Sequence, residues 1–264
     1  VICPLAHPKS VMEMISRAKL DFPSWPDENS TLYPIHKTTI ENPDQIIVFS
    51  NFAKKTFIEN GVEPRKIDVI NIGPINRSTS WSINETRPSE KGIRVLFLGQ
   101  IIIRKGVPAI LAASKLLGKK AQFVLAGPIH PNIENYILDQ HNESLQLISN
   151  PRPDQLNYLF KQSNVFLLPS YSEGFSIASL EAMSYGLVPI LSLNSGVVEL
   201  IQDSQLRHLI IKPGSVFDIV KSIETLLSIS QSTFDNYRKI ASTLAEKVSM
   251  ELFAQELVQT KLIK

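Results

Sequence analysis

The chain has 264 residues, 43% of them hydrophobic and 20% charged, with a formal net charge of +2. This is an ordinary globular composition, long enough for one large or two modest domains. The near-neutral charge, with basic runs no longer than pairs such as Lys119-Lys120, argues against a nucleic-acid partner, and the lone Cys3 rules out an internal disulfide and makes a zinc site improbable.

In chain order, Val11 to Leu20 carries apolar residues at helical spacing and predicts a helix. In the segment from Asp27 to Thr39, Ser24 or Asp27 could cap a short helix that Pro34 would break. Gln45 to Ser50 reads as a strand, with Ser50 and Asn51 capping a helix from Phe52 to Asn60 that Gly61 stops. Lys66 to Ile72 reads as a second strand. Residues 76–92 are rich in Ser, Asn, Thr, Arg and Glu, with Pro88 and Gly92 as breakers, and predict a linker.

A regular alternation then begins. Strands are expected at Arg94–Leu98, Gln122–Ala126, Leu145–Ile148, Val165–Leu168, Val188–Leu191 and His208–Ile211. Helices are expected at Val107–Leu117, Asn132–Gln140, Asp154–Gln162, Ser176–Tyr185, Gly196–Ile201 and Val216–Ile229. Short apolar strands alternating with helices predict an α/β domain with a parallel sheet, whose ligands sit at the carboxyl ends of the strands. From Thr233 onward the chain reads as helical, with an apolar stripe of Phe234, Tyr237, Ile240, Leu244, Val248, Leu252, Leu257 and Leu262. The opening on Val1, running at once into an apolar segment, leads us to expect a chain cut at its N-terminus.

Two segments after strands carry chemistry. Gly99 to Gly106 runs from a strand into a helix, which puts Lys105 near a helix N-terminus where a diphosphate would meet an ammonium and free amides. Taken alone, Lys105 reads equally as a solvated loop lysine. The second segment is Glu173-Gly-Phe-Ser-Ile-Ala-Ser-Leu-Glu181-Ala-Met-Ser-Tyr-Gly186. The amides of Gly174 to Ile177 open a helix and suit a phosphate. Each carboxylate can accept two hydrogen bonds, so Glu173 suits sugar hydroxyls and Glu181 a ribose diol. Bare of context, Glu173 would be a favourable carboxylate at the start of a helix and Glu181 a surface residue. No clustered Asp/His set has ligand spacing, so no metal and no cofactor are expected.

This second segment resembles the Glu-x7-Glu signature of the retaining GT-B glycosyltransferases, a family-4-like group. Other segments resemble that family in the same order: Gly99 to Gly106, Ala126-Gly127-Pro128, Gly196-Val-Val-Glu199-Leu200, Lys212-Pro213-Gly214 and, upstream, Asp44 to Ser50 and Gly61 to Gly73. The resemblance implies a GT-B architecture: part of an acceptor-side domain in residues 1–75 lacking its opening strands, the linker, a nucleotide-sugar-binding Rossmann-like domain in 93–232, and helices in 233–264 that could pack back on the first domain. It implies that Lys105 binds the donor diphosphate together with Gly99, Gln100 and Arg104. Glu173 would hold the transferred sugar, Gly174, Phe175, Ser176 and Ile177 would meet the distal phosphate, and Glu181 would hold the ribose. His7 matches the acceptor-domain histidine that faces the donor sugar, although a histidine before proline is also an ordinary structural residue. Gln100 stands where the family usually has arginine, with Arg104 as a compensating charge.

The implied activity is transfer of a sugar from a nucleotide sugar to a glycan, lipid-linked or small-molecule acceptor, with retention at the anomeric carbon. The implied setting is cytoplasmic, with peripheral membrane association left open by a lipid-linked acceptor. The alternative is a remnant that binds a nucleotide sugar without transferring it. A Rossmann oxidoreductase would want Gly-x-Gly-x-x-Gly after its first strand, which Gly99 to Gly106 lacks.

Overall fold

A computed structural model describes residues 2–3, 5–28, 43–74, 92–140 and 142–260. The expected linker, apart from Gly92, lies outside the described residues, as do most of the segment from Asp27 to Thr39 and Leu262.

Six strands form one sheet: β4 (Ile93–Leu98), β5 (Ala121–Ala126), β6 (Leu145–Ile148), β7 (Val165–Leu168), β8 (Val188–Ser192) and β9 (Ile210–Ile211). Their order is β6-β5-β4-β7-β8-β9, and every pairing is parallel. β7 and β8 are buried along their whole length, which explains why they read as unbroken apolar runs rather than alternating ones. The order reverses between β4 and β7, and in open parallel sheets such a reversal is where a ligand crevice lies, outside the carboxyl ends of the strands.

A second, three-stranded parallel sheet joins β1 (Ile2–Cys3), β2 (Ile46–Val48) and β3 (Ile67–Val69) in that order. Helix Pro8–Asp21 follows β1, with Pro8 in its first turn and the His7 side chain accepting from the Lys9 amide at its start. Helix Asn51–Glu59 follows β2, capped by Ser50, whose hydroxyl accepts from the Ala53 amide at 3.1 Å.

The largest departures from expectation lie near the C-terminus. His208 and Leu209 belong to a short 3-10 turn, Gln205–Leu209, because the Ser204 hydroxyl accepts from the Leu206 amide, so only Ile210–Ile211 is strand. The segment Gly196–Ile201 is helical only over Val198–Ile201. Beyond residue 230 the described residues form two helices, Gln231–Ala245 and Met250–Gln259, and Ser249 caps the second by accepting from the Leu252 amide at 3.1 Å. The expected stripe is buried at Phe234, Leu244 and Val248, but Leu252 is exposed. The first of these helices packs on helix Ile177–Ser184, where Arg238 Nε donates to the Gly186 carbonyl at 3.2 Å. The second reaches the three-stranded layer, where Phe253 meets Phe49 edge-on with ring centroids 5.8 Å apart.

Candidate functional site

The loops after β4 and β7 come together through their backbones. The Tyr171 amide donates to the Arg104 carbonyl at 2.8 Å, and the Arg104 guanidinium donates to the Ser172 carbonyl at 2.6 Å. Gly106 makes this approach possible. Its φ is +74°, and a Cβ there would overlap the Pro169 carbonyl, so the position needs glycine for conformation and for space. Gly106 also caps helix Val107–Leu117.

The result is a buried ion pair. Lys105 Nζ donates to Glu173 Oε2, with side chains only 14% and 8% exposed, and Arg104 Nη1 lies 3.9 Å from the same oxygen. The alternative of a solvated Lys105 therefore falls away. Burial would raise the Glu173 carboxyl, but the charges of Lys105 and Arg104 outweigh it and hold its pKa below the ordinary carboxylate range. Burial draws the Lys105 ammonium down, and Arg104 adds to that against the opposite pull of Glu173. Arg104 has its guanidinium turned onto the Ser172 carbonyl, so it holds the turn that carries Glu173.

Glu173 is fixed from a third side. Its amide donates to the Asn194 carbonyl at 2.9 Å, and its carbonyl accepts from the Gly196 amide at 3.0 Å. Four residues later the chain enters helix Ile177–Ser184, capped by the Ser176 hydroxyl, which accepts from the Ser179 amide at 3.2 Å. The first amides of a helix have no intrahelical acceptor, so Ser176 and Ile177 lie at its electropositive end, with Phe175 leading into it from the turn that carries Glu173. Glu181 lies on this helix at 7% exposure, so it is not the surface residue that a bare glutamate would suggest. Gly99 leaves β4 at the crevice, and Gln100 is exposed beside it.

The structure thus brings Lys105, Arg104, Glu173, Gly174, Phe175 and Ser176 to one place. Among the described residues, His7 makes no hydrogen bond or ion pair with that set. Its amide donates to Thr56 Oγ1 at 2.8 Å, its ring stands edge-on to Phe57 at 5.2 Å, and burial, aided by the Lys9 charge, lowers its pKa.

Other contacts of the loops after β4 and β7 had no sequence signal. Tyr171 Oη donates to Asp21 of the first helix at 2.9 Å, and burial with that carboxylate raises the phenol's pKa well above its usual range. Glu28 Oε1 accepts from the Ile103 amide and from Trp25 Nε1, each at 2.6 Å. Ser50, read from sequence only as a helix cap, donates its hydroxyl to the Gly174 carbonyl at 2.6 Å. Among the described residues there is no group of three or more His, Cys, Asp and Glu placed to hold a metal ion, and no helix is long and apolar enough to cross a membrane.

Comparison with known proteins gives this geometry a context. The chain is 29% identical over 191 residues to the N,N'-diacetylbacillosaminyl-diphospho-undecaprenol alpha-1,3-N-acetylgalactosaminyltransferase of Campylobacter jejuni, a match covering 68% of this chain and 50% of that protein. It is 28% identical over 155 residues to the GDP-mannose:cellobiosyl-diphosphopolyprenol alpha-mannosyltransferase of Xanthomonas oryzae, covering 56% of this chain and 40% of that one. The chain spans about half the length of the curated relatives it matches.

Among solved structures it superposes on Anabaena HepE in complex with UDP and glucose with a TM-score of 0.67 at 16% identity, covering 82% of this chain and 62% of that one. It superposes on the sucrose-phosphate synthase of Thermosynechococcus elongatus with a TM-score of 0.67 at 19% identity, covering 84% and 58%. These likenesses establish the fold: a parallel-sheet, Rossmann-like α/β architecture of the GT-B glycosyltransferase kind. The profile of the glycosyl transferases group 1 family matches residues 81–244, more than half of the sequence, and the chain belongs to that family.

Proposed function

We propose that this chain carries the donor domain of a retaining, nucleotide-sugar-dependent glycosyltransferase. Residues 93–232 are its nucleotide-sugar-binding domain, 76–92 the linker, 1–75 part of the acceptor-side domain, and 233–264 the closing helices. The observation that carries the reading is the buried Lys105–Glu173 pair at the strand-order reversal, beside the N-terminus of helix Ile177–Ser184.

A nucleoside diphosphate sugar is chemically matched to that pair. Its diphosphate takes the Lys105 ammonium and the amides of Phe175, Ser176 and Ile177, while its sugar hydroxyls take the Glu173 carboxylate. The donor thus replaces one buried ion pair by two charge-assisted contacts and leaves neither charge unpartnered. Gly99 and Gln100 line the exit of β4 beside the diphosphate, and Glu181 holds the ribose diol. His7 stands on the acceptor side, facing the sugar once donor is bound.

Transfer then needs no carboxylate pair of the glycosidase kind. The acceptor hydroxyl attacks the anomeric carbon on the face that the diphosphate leaves, the bond from that carbon to the diphosphate oxygen breaks, and the acceptor proton passes to the departing diphosphate. Lys105 and the helix amides stabilise the charge that develops there.

The Campylobacter and Xanthomonas relatives bear names that specify diphosphate-linked polyprenol acceptors. The corresponding acceptor here is a lipid-linked glycan, met at the cytoplasmic face of a membrane. A second reading, binding without transfer, is favoured by the uncharged, exposed Gln100 at the place where the family resemblance calls for arginine.

Thermal melting with a panel of nucleoside diphosphates and nucleotide sugars tests the reading, because a ligand that binds only the folded chain must raise its Tm. The expected result is a rise with one base that is lost in Glu181→Ala. No rise with any of them, from a folded sample, overturns it.

A further inference from the structure

The turn that carries Glu173 is held from two layers of the molecule. On one side stand the Asn194 carbonyl and the Gly196 amide, which bracket Glu173 through its backbone. On the other stands Ser50, fully buried, which leaves the three-stranded sheet and reaches across to the Gly174 carbonyl at 2.6 Å. The contact is close enough that a Cβ on Gly196 would overlap both the Gly174 carbonyl and the Ser50 side chain.

Ser50 is itself clamped from the opposite layer. Glu199 Oε1 accepts from the Phe52 amide at 2.8 Å, and its Oε2 accepts from Asn51 Nδ2 at 2.9 Å. A carboxylate from the six-stranded domain therefore caps the first turn of the helix that Ser50 begins, where the helix dipole favours a negative charge. The two contacts close a circuit: Glu199 fixes the start of helix Asn51–Glu59, that helix fixes Ser50, Ser50 fixes Gly174, and Gly196, three residues before Glu199, fixes Glu173.

We propose that Ser50 and Glu199 are positioning residues for Glu173, forming a latch between the two layers that sets the Glu173–Gly174 turn in its donor-binding geometry. The proposal rests on the donor-site reading of Glu173. Neither residue touches the donor. They act by making the orientation of the Glu173 carboxylate depend on how the three-stranded layer is seated against the six-stranded one, so that a sugar is gripped only when the layers are closed.

The test is amide hydrogen exchange on the full chain, read at residues 171–177, in Ser50→Ala, Glu199→Ala, Glu199→Gln and the Ser50→Ala/Glu199→Ala double variant. Loss of a buried hydrogen bond at the turn is expected to speed exchange there roughly tenfold in both alanine variants, with no change in β5. The double variant is expected to be no worse than Ser50→Ala, since both break one circuit. Glu199→Gln keeps an acceptor for the Phe52 amide and is expected to restore most of the protection. Wild-type exchange at 171–177 in both alanine variants overturns the proposal, even if residues 52–54 exchange faster.

A second readout separates this idea from the donor reading. Melting is compared with UDP, GDP and ADP and with the corresponding UDP-, GDP- and ADP-glucose. The alanine variants are expected to keep the shift given by the nucleoside diphosphate and to lose the increment added by the sugar; an unchanged sugar increment overturns the latch. If none of the six shifts the wild-type Tm, the donor reading is what fails, and the exchange result still decides whether the latch exists.

Discussion

The two sheets are both parallel and both short-stranded, yet they bury their side chains differently. In the six-stranded sheet, residues such as Val95, Phe123, Phe166 and Ile190 all belong to one core shared with the surrounding helices. In the three-stranded sheet the alternation of the strand divides the apolar residues. Ile46 and Val48 turn to a small separate cluster with Cys3, Ala53, Phe57 and Ile67, whereas Ile47, Phe49 and Ile70 turn to the large core. Among the described residues the small layer thus has a cluster of its own and shares its other apolar residues with the large core by docking. That separate cluster is small, so the layer is expected to depend on its seating against the larger one.

The largest effects test that division. Phe166→Ala, fully buried in the central sheet, is expected to cost about 3–5 kcal/mol in global unfolding by denaturant. Phe57→Ala removes the same ring from the small cluster and is expected to act locally, speeding amide exchange across residues 46–69 while β4 to β8 keep wild-type protection. Equal loss of protection in both sheets would show a single cooperative unit and break the comparison.

Next comes the ion pair, which belongs wholly to the large layer. Lys105→Ala leaves Glu173 buried beside Arg104 alone, and should lower stability by about 3–5 kcal/mol in equilibrium denaturation. Adding Glu173→Gln should recover most of that loss. Double-variant stability equal to the sum of the two single losses would mean the pair is not coupled.

A smaller effect is expected at the seam. Phe253→Ala removes the ring that meets Phe49, and should lower stability by roughly 1–3 kcal/mol while raising exchange in the three-stranded layer alone.

The smallest effect is read by pH. Glu173 has a depressed pKa in the folded chain, so its contribution is present above the ordinary glutamate value of about 4.3 and is lost as pH falls through the folded value. Glu28, at the seam, has the opposite sign. Burial raises its pKa despite the Ile103 and Trp25 hydrogen bonds, so its contribution is present below the ordinary value and is lost as pH rises through the raised one. Tm measured against pH should therefore have a shallower acid limb in Glu173→Gln and a steeper one in Glu28→Gln. Unchanged limbs in both would remove these two carboxylates from the acid response.

The same contrast governs what could be read from sequence. The central strands were legible because burial on both faces writes itself as unbroken runs such as Val165–Leu168, and because Ser176 and Gly186 punctuate the helix between β7 and β8. The end of that domain was less so: at His208 a serine-capped turn competes with a strand made of the same apolar residues, and Ser249 breaks what reads as a continuous helical stripe. The candidate site residues could be named from sequence one at a time. Their pairing was not, because nothing local joins Lys105 to a carboxylate 68 positions away. Ser50 shows the limit most clearly. Its hydroxyl caps a helix, which sequence can suggest, and also donates across 124 positions to Gly174, which only the assembled layers reveal.

The strand order has a consequence in time. β4 lies at the centre of its sheet, paired with β5 on one side and with β7 on the other. A chain emerging from the ribosome can therefore assemble β4, β5 and β6, with Lys105 already at the edge of that half-sheet, before the carboxylate that neutralises it exists. Until β7 arrives, β4 presents one unpaired side, the kind of edge that recruits the wrong neighbour. The step that closes this edge also delivers Glu173, so the slow, long-range pairing that completes the sheet is the step that builds the site.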